Sequence, residues 1–258
     1  MFPRREPPPR ADTPEIANDL GLFKEVQQMS VRVLGLDIST CTGYGFWDAS
    51  CHPSSIEADV MELPEPRKIP NTDKRDYHWD DWRVAQVGPK ALKILKAFRP
   101  DLVLIEERLR FSKTGDGGFA MTNAIHGAFY SHCCTMDILF GTISSQSWRV
   151  PAYGEGFKQP LIPDLDRSRR QKIDKKTGKP LFKLKDWGDL AVEKCESLGI
   201  RLPPKKETSH NAAEAALIAM MWRCHKRINI PEKRAFDRYI ELLQRKAQTK
   251  ELVSEEAA

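Results

Sequence analysis

Three carboxylates stand in apolar settings on well-separated stretches of the chain: Asp37 in VRVLGLDISTCTGYGFWD, Glu106 in DLVLIEE and Glu214 in HNAAEAALIA. A carboxylate at the end of a buried strand or inside an apolar helix is costly unless a cation or a set of donors compensates it. Oxygen ligands of this kind suit Mg²⁺ or Mn²⁺. Two such ions roughly 3.5 to 4 Å apart activate a water and stabilise the leaving oxygen in phosphodiester hydrolysis. Acids gathered at one end of a sheet therefore point to metal-assisted phosphoryl chemistry. Each also has a plain structural reading. Asp37 can cap a turn through backbone N–H groups, and Glu107 competes with Glu106, because strand neighbours point to opposite faces. His210 and Asn211 precede Glu214 by four and three residues, spacings that put either on roughly the same helix face, and Glu207 lies just before the helix. One of them is a fourth ligand or an acid/base, or else His210 belongs to the helix N-terminus and Asn211 to a polar contact.

The elements that must position these acids follow from hydrophobic pattern. Val31, Val33, Leu34 and Leu36 make a strand, and Thr42 to Phe46 resume as a second after a turn too short for a crossover, so the pair is a hairpin with Asp37 at the strand end. Ile56 to Leu63 supplies a third strand and completes an antiparallel meander. Apolar residues from Tyr77 to Phe98 recur at helical spacing, with Pro89 expected to kink or split the element. Leu102 to Ile105 is the continuous apolar run of a strand buried on both faces. Gly117 to Leu139 reads as a long helix, followed by a short strand near Phe140 to Ile143. Trp187 to Leu198 is an amphipathic helix closed by Gly199. A helix starting at Ser209 is apolar nearly all round, as one packed on a sheet would be, and Pro231 opens a last helix that fades into the tail from Lys250.

Composition bounds the rest. A chain of 258 residues with 40% hydrophobic content supports one sizeable core with terminal extensions. The division expected is a Pro-rich basic arm over residues 1–30, disordered or partly helical between Glu15 and Gln28, a domain over 31–228, and a C-terminal helix and tail over 229–258. The formal charge of +5 conceals a concentration of cations in the 151–185 segment, which is Pro-spaced and yields no core. Between Arg167 and Lys185 nine Lys and Arg, among them Arg169, Arg170, Lys172, Lys175 and Lys176, face only Asp174. With Phe182 as the sole aromatic, this insertion reads as a phosphate-contacting surface rather than a base-stacking one. Six Cys lack zinc-type spacing and read as reduced, mostly buried thiols. No apolar run approaches the roughly 18 residues of a membrane span, so the expectation is a soluble, cytoplasmic protein with no membrane partner.

LGLDISTCTGYGFWD resembles the first motif of the RuvC family of Holliday junction resolvases, PDLVLIEE its second, and HNAAEAALIA its last helix. GFAMTNAIHGAFYSH is similar to the long helix after the second motif, and SQSWR to a segment of phage-type members. The likeness spans about Val31 to Cys224. It implies an α/β RNase H-like fold, a mixed five-stranded sheet flanked by helices, here with a basic insertion and terminal extensions. It also implies a homodimer acting on branched DNA in a bacterial or phage-infected cell, with Mg²⁺ as cofactor and Mn²⁺ as a substitute. Asp37, Glu106 and Glu214 then correspond to the family's acidic ligands. The family's last helix carries two Asp, or a His and an Asp, three apart, where this chain has Asn211 and Glu214. Asn211 is then a neutral ligand, with His210 the residue on which acid/base chemistry would lean. The leading function is a metal-dependent crossover junction endonuclease. A non-cleaving branched-DNA binder on the same fold is the alternative, and an actin-like ATPase or sugar kinase a more distant one, since it wants a second Gly-rich phosphate hairpin.

Overall fold

The computed structural model describes residues 30–74, 76–107, 116–166, 168–174 and 176–256. The basic arm over 1–29, its helical pattern, Arg167 and Lys175 lie outside the described residues.

Five strands, β1 (Arg32–Asp37), β2 (Cys41–Asp48), β3 (Glu57–Glu62), β4 (Leu102–Glu106) and β5 (Leu139–Ile143), form one sheet in the order β3-β2-β1-β4-β5. β1, β2 and β3 are antiparallel neighbours, whereas β4 and β5 run parallel to β1. That order and those directions are the RNase H-like arrangement expected from the motifs. Six helices accompany the sheet: α1 (Tyr77–Phe98), α2 (Asp116–Thr135), α3 (Ser145–Tyr153), α4 (Trp187–Ser197), α5 (Lys206–Ala219) and α6 (Lys233–Glu256). Among the described residues no helix is long and apolar enough to cross a membrane.

The sheet is buried on both faces, so its central strands carry apolar residues at successive positions. Val31, Val33, Leu102 and Leu104 enter a core with α3 to α6, while Leu34, Leu36, Val103 and Ile105 enter a second with α1 and α2. The fit of α5 to the sheet depends on absent side chains. A Cβ on Gly35 would overlap the backbone of Ala215, and one on Gly43 would overlap that of Asn211. Small residues on both partners, Gly35, Gly43 and Gly45 against Ala212, Ala215, Ala216 and Ala219, let the helix lie directly on the hairpin.

Several expectations need correction. α1 runs unbroken through Pro89. A proline removes one backbone donor and crowds the preceding turn, yet next to it the Gly88 carbonyl accepts from His132 Nε2 of α2 at 3.0 Å, so the neighbouring helix braces the turn. α5 starts at Lys206, not Ser209. The Thr208 and Ser209 hydroxyls donate back to the carbonyls of Lys205 and Lys206, so the polar residues that resemble a cap lie inside the first turn. α3 carries the chain to Tyr153 through Pro151, which delays the start of the insertion. α6 continues to Glu256, past the expected fraying point. Of the six free cysteines, only Cys133 and Cys195 are buried. Met121, Ile125 and Phe129 of α2 are buried in the core that the sheet shares with α1.

The insertion has structure of its own. β6 (Leu161–Pro163) and β7 (Phe182–Leu184) pair antiparallel, and bridges Leu165 to Gln171 and Ile173 to Pro180 extend the ribbon outward.

Candidate metal centre at the strand ends

Alternation along β1 puts Val31, Val33, Gly35 and Asp37 on the face covered by α5. Along β4 it puts Leu102, Leu104 and Glu106 on that same face, since Val33 pairs with Leu102 and Gly35 with Leu104. Glu107 consequently belongs to the opposite face and is exposed. The parity of the two strands thus chooses between the adjacent glutamates. α5, seated on the glycines of the hairpin, brings Glu214 to the same place. One carboxylate oxygen from each of Asp37, Glu106 and Glu214 lies within 4.8 Å of the others.

The three acids are enclosed unequally. Asp37 retains 8% exposure, and burial together with the charges of Glu214 and Glu106 holds its carboxyl well above the usual range. Burial first, then Glu106, pushes Glu214 up to about 7 against the opposing pull of Arg149. Glu106 is held at Oε1 by the Ser145 hydroxyl and by Trp148 Nε1, the latter at 3.2 Å. On the backbone side of the same residue, His126 Nε2 lies 3.2 Å from the Glu106 carbonyl. Arg149 Nη2 stands 3.8 Å from Glu214 Oε1, and its guanidinium lies over Trp187 at 4.5 Å and Trp148 at 5.1 Å. Among the described residues three carboxylates thus face one guanidinium, that of Arg149, and a divalent cation would balance the difference. An all-oxygen, all-carboxylate donor set is what hard cations of the Mg²⁺ or Mn²⁺ kind take. The residues present therefore fit such an ion.

The other residues singled out by spacing go elsewhere. His210 Nε2 meets Asp189 Oδ1 of α4 at 3.0 Å, its ring lies against Gly188, and it is not in the group of acids. Lys206 shares the same Asp189 oxygen at 2.9 Å, so His210 serves the α4–α5 contact. Asn211 Nδ2 donates to the Cys41 carbonyl at 2.5 Å and to Ser39 Oγ at 3.3 Å, which ties α5 to the turn that follows Asp37. Glu207 is exposed. In the insertion, Arg170 pairs with Asp166 at 3.5 Å and Lys172 with Asp164 at 3.1 Å, acids just outside the span whose charge looked unopposed. Arg169 and Lys176 have no ion pair among the described residues.

Ser145, Trp148 and Arg149 were not singled out by their types. The signal for them was positional: the segment SQSWR follows β5, and in an open α/β sheet the crevice outside the carboxyl ends of parallel strands is where ligands collect.

No protein-family model matches the sequence, and no curated protein does. Among solved structures the chain is similar to Thermus thermophilus RuvC in complex with a Holliday junction substrate, at 14% identity and a TM-score of 0.44 over 77% of this chain and 99% of that one. A second Thermus thermophilus RuvC structure gives 14% and 0.45 over the same shares. The yeast mitochondrial Holliday junction resolvase Ydc2 gives 15% and 0.46 over 83% of this chain and 87% of that one. The fold assignment stands on the strand order and directions themselves.

Proposed function

We propose that this chain is a divalent-metal-dependent endonuclease that hydrolyses phosphodiesters in branched DNA such as Holliday junctions, with Mg²⁺ as its ion and Mn²⁺ able to replace it. The observation that supports this most is the meeting of Asp37, Glu106 and Glu214, from two strands and a helix, beside the guanidinium of Arg149. The motifs surrounding them, LGLDISTCTGYGFWD, PDLVLIEE and HNAAEAALIA, resemble those of junction resolvases in the same order.

In this reading the three carboxylates hold the ion. When bound it supplies the positive charge that acidifies a water and polarises a phosphoryl oxygen. The chain's own residues do the rest. Ser145 and Trp148 fix the rotamer of Glu106, so the donor set is organised before the substrate arrives. Asn211 fixes the turn after Asp37 from the helix side, as a positioning residue rather than a ligand. Arg149, braced between two indoles, is placed to meet a backbone phosphate entering beside Glu214. Cutting two opposed strands of a junction needs two such centres, so a homodimer on one DNA belongs to the proposal.

The experiment is cleavage of a panel of synthetic substrates of equal length, a duplex, a flap, a fork and a four-way junction, in Mg²⁺, in Mn²⁺ and in EDTA, with ATP hydrolysis measured alongside. The expected result is metal-dependent cutting of branched members and no ATP turnover. Junction binding without cutting in either metal would favour a non-cleaving binder, and ATP turnover would reject both.

A further inference from the structure

The ribbon that interrupts the domain between α3 and α4 has one face that is apolar and uncovered. Leu161 pairs with Leu184 and Pro163 with Phe182. Directly opposed residues of an antiparallel pair share a face, so these four side chains stand together. Pro180 comes two residues before Phe182, and its bridge partner Ile173 extends the row. All six are exposed: Leu161 by 66%, Ile173 by 60%, Leu184 by 57% and Phe182 by 56%. A two-stranded ribbon with an apolar row in water is marginal by itself, and contiguous exposed apolar surface marks an interaction site.

The charges around the row indicate its occupant. Asp164 and Asp166 are engaged by Lys172 and Arg170, and Asp174 accepts from the backbone N–H groups of Lys176 and Thr177. Arg169, Lys176, Lys179 and Lys183 have no ion pair among the described residues. A second copy of the same ribbon would set these cations against one another, whereas a polyanion with apolar faces complements both features. The ribbon is also rooted at the acidic centre. Phe157 on its entering side and Trp187 on its leaving side pack with Tyr153 at 5.1 and 5.5 Å between ring centroids and with each other at 6.1 Å, and Trp187 carries the guanidinium that reaches Glu214.

We infer that the row Leu161, Pro163, Phe182, Leu184 is a platform for unstacked DNA bases, with Phe182 stacking and Lys179, Lys183 and their neighbours holding the flanking phosphates; the lone aromatic, read from sequence as too little for stacking, gains an apolar setting from the strand pairing. The inference rests on DNA being the partner, as proposed above, and does not depend on cleavage. On nucleic acid, apolar side chains are inserted at unstacked base steps and aromatic platforms lie under single-stranded bases. The part of a branched substrate the ribbon meets is accordingly the unpaired or unstacked region, while duplex arms contact cations alone.

The test measures affinity of the full chain, in EDTA, for a duplex and for the same strands carrying an unpaired internal loop with 2-aminopurine in it. The native chain should prefer the looped DNA and alter the fluorophore's emission. Leu161→Ser/Phe182→Ser/Leu184→Ser should lose about tenfold or more on looped DNA, keep duplex affinity and its salt dependence, and leave the emission unchanged. Phe182→Trp alone, which keeps an aromatic face, should retain the preference. Because these side chains are exposed, unaltered thermal unfolding is expected and is checked first. Undiminished loop preference in the triple variant overturns the inference, as does a change in its self-association with no change in DNA binding. Failure of the native chain to cut any substrate, with the loop preference intact, would strike the nuclease reading and leave this one standing.

Discussion

The backbone of α5 lies on the hairpin so closely that three positions, Gly35, Gly43 and Gly45, admit only glycine, and at the carboxyl ends of β1 and β4 three acids are gathered beside Arg149. The ribbon of residues 161–184 is the reverse: among its described residues cations outnumber acids, and Leu161, Ile173, Phe182 and Leu184 stand exposed. The contrast separates two tasks. Holding a small ion requires donors fixed in advance by close packing. Gripping a large polyanion requires reach and charge, which an exposed ribbon supplies without a core.

Loss of a ligand should produce the largest effect and be confined to the packed region. Asp37→Asn, Glu106→Gln and Glu214→Gln are each expected to abolish cleavage while junction binding in EDTA is kept, and metal-dependent nicking by any of them would remove that residue from the centre. Packing should separate the regions next. Gly43→Ala forces a methyl into the Asn211 backbone and should destabilise by about 1–3 kcal/mol or more, whereas Phe182→Ala on the ribbon should stay within about 0.5 kcal/mol in the same denaturant titration. Ser145→Ala and Trp148→Phe remove the donors to Glu106 without removing a ligand, and should lower cleavage or metal affinity by roughly 10- to 100-fold.

A subtler contrast lies in pH. Glu214 is raised from 4.5 to about 7 in the metal-free fold, so the folded state binds the extra proton. The stability this contributes is complete below about pH 4.5 and lost as pH rises through about 7. A divalent cation competes with that proton. The rise in melting temperature caused by Mg²⁺ or Mn²⁺ should therefore grow between pH 5 and 8, and Glu214→Gln should flatten the dependence. The ribbon has no counterpart, and its variants should follow the native curve. The smallest effects should come from single phosphate contacts. Each one lost flattens the slope of log affinity against log salt by roughly 0.9 on duplex arms, so Lys176→Ala/Lys179→Ala/Lys183→Ala should lower it by about two to three units. Arg170→Ala/Lys172→Ala should lower it less, since both cations already have acid partners.

The two regions also differ in how readable they are from sequence. The acids and the strands that present them are local patterns: an apolar run ending in a carboxylate, and alanines at helical spacing. The selection of Glu106 over Glu107 is not local, because it needs the register of β4 against β1 and the side on which α5 lies. Helical spacing places His210 and Asn211 near Glu214 but says nothing of their outside partners, and Asp189 and the Cys41 carbonyl draw them away. Glu106's donors, Ser145 and Trp148, sit about forty residues further on and become neighbours only through the parallel pairing of β4 and β5. The ribbon's apolar row is divided between short strands almost twenty residues apart, so each half reads as an unremarkable scatter of Leu and Pro among lysines.

The parity of the two glutamates at the end of β4 tests the account most directly. Binding of Mn²⁺ to the native chain, Glu106→Gln and Glu107→Gln, followed by the loss of the free-ion electron paramagnetic resonance signal, compares two adjacent glutamates on opposite faces of the strand. Binding is expected for the native chain and for Glu107→Gln, and its loss is expected in Glu106→Gln. Retained binding in Glu106→Gln, with loss in Glu107→Gln, would contradict that expectation.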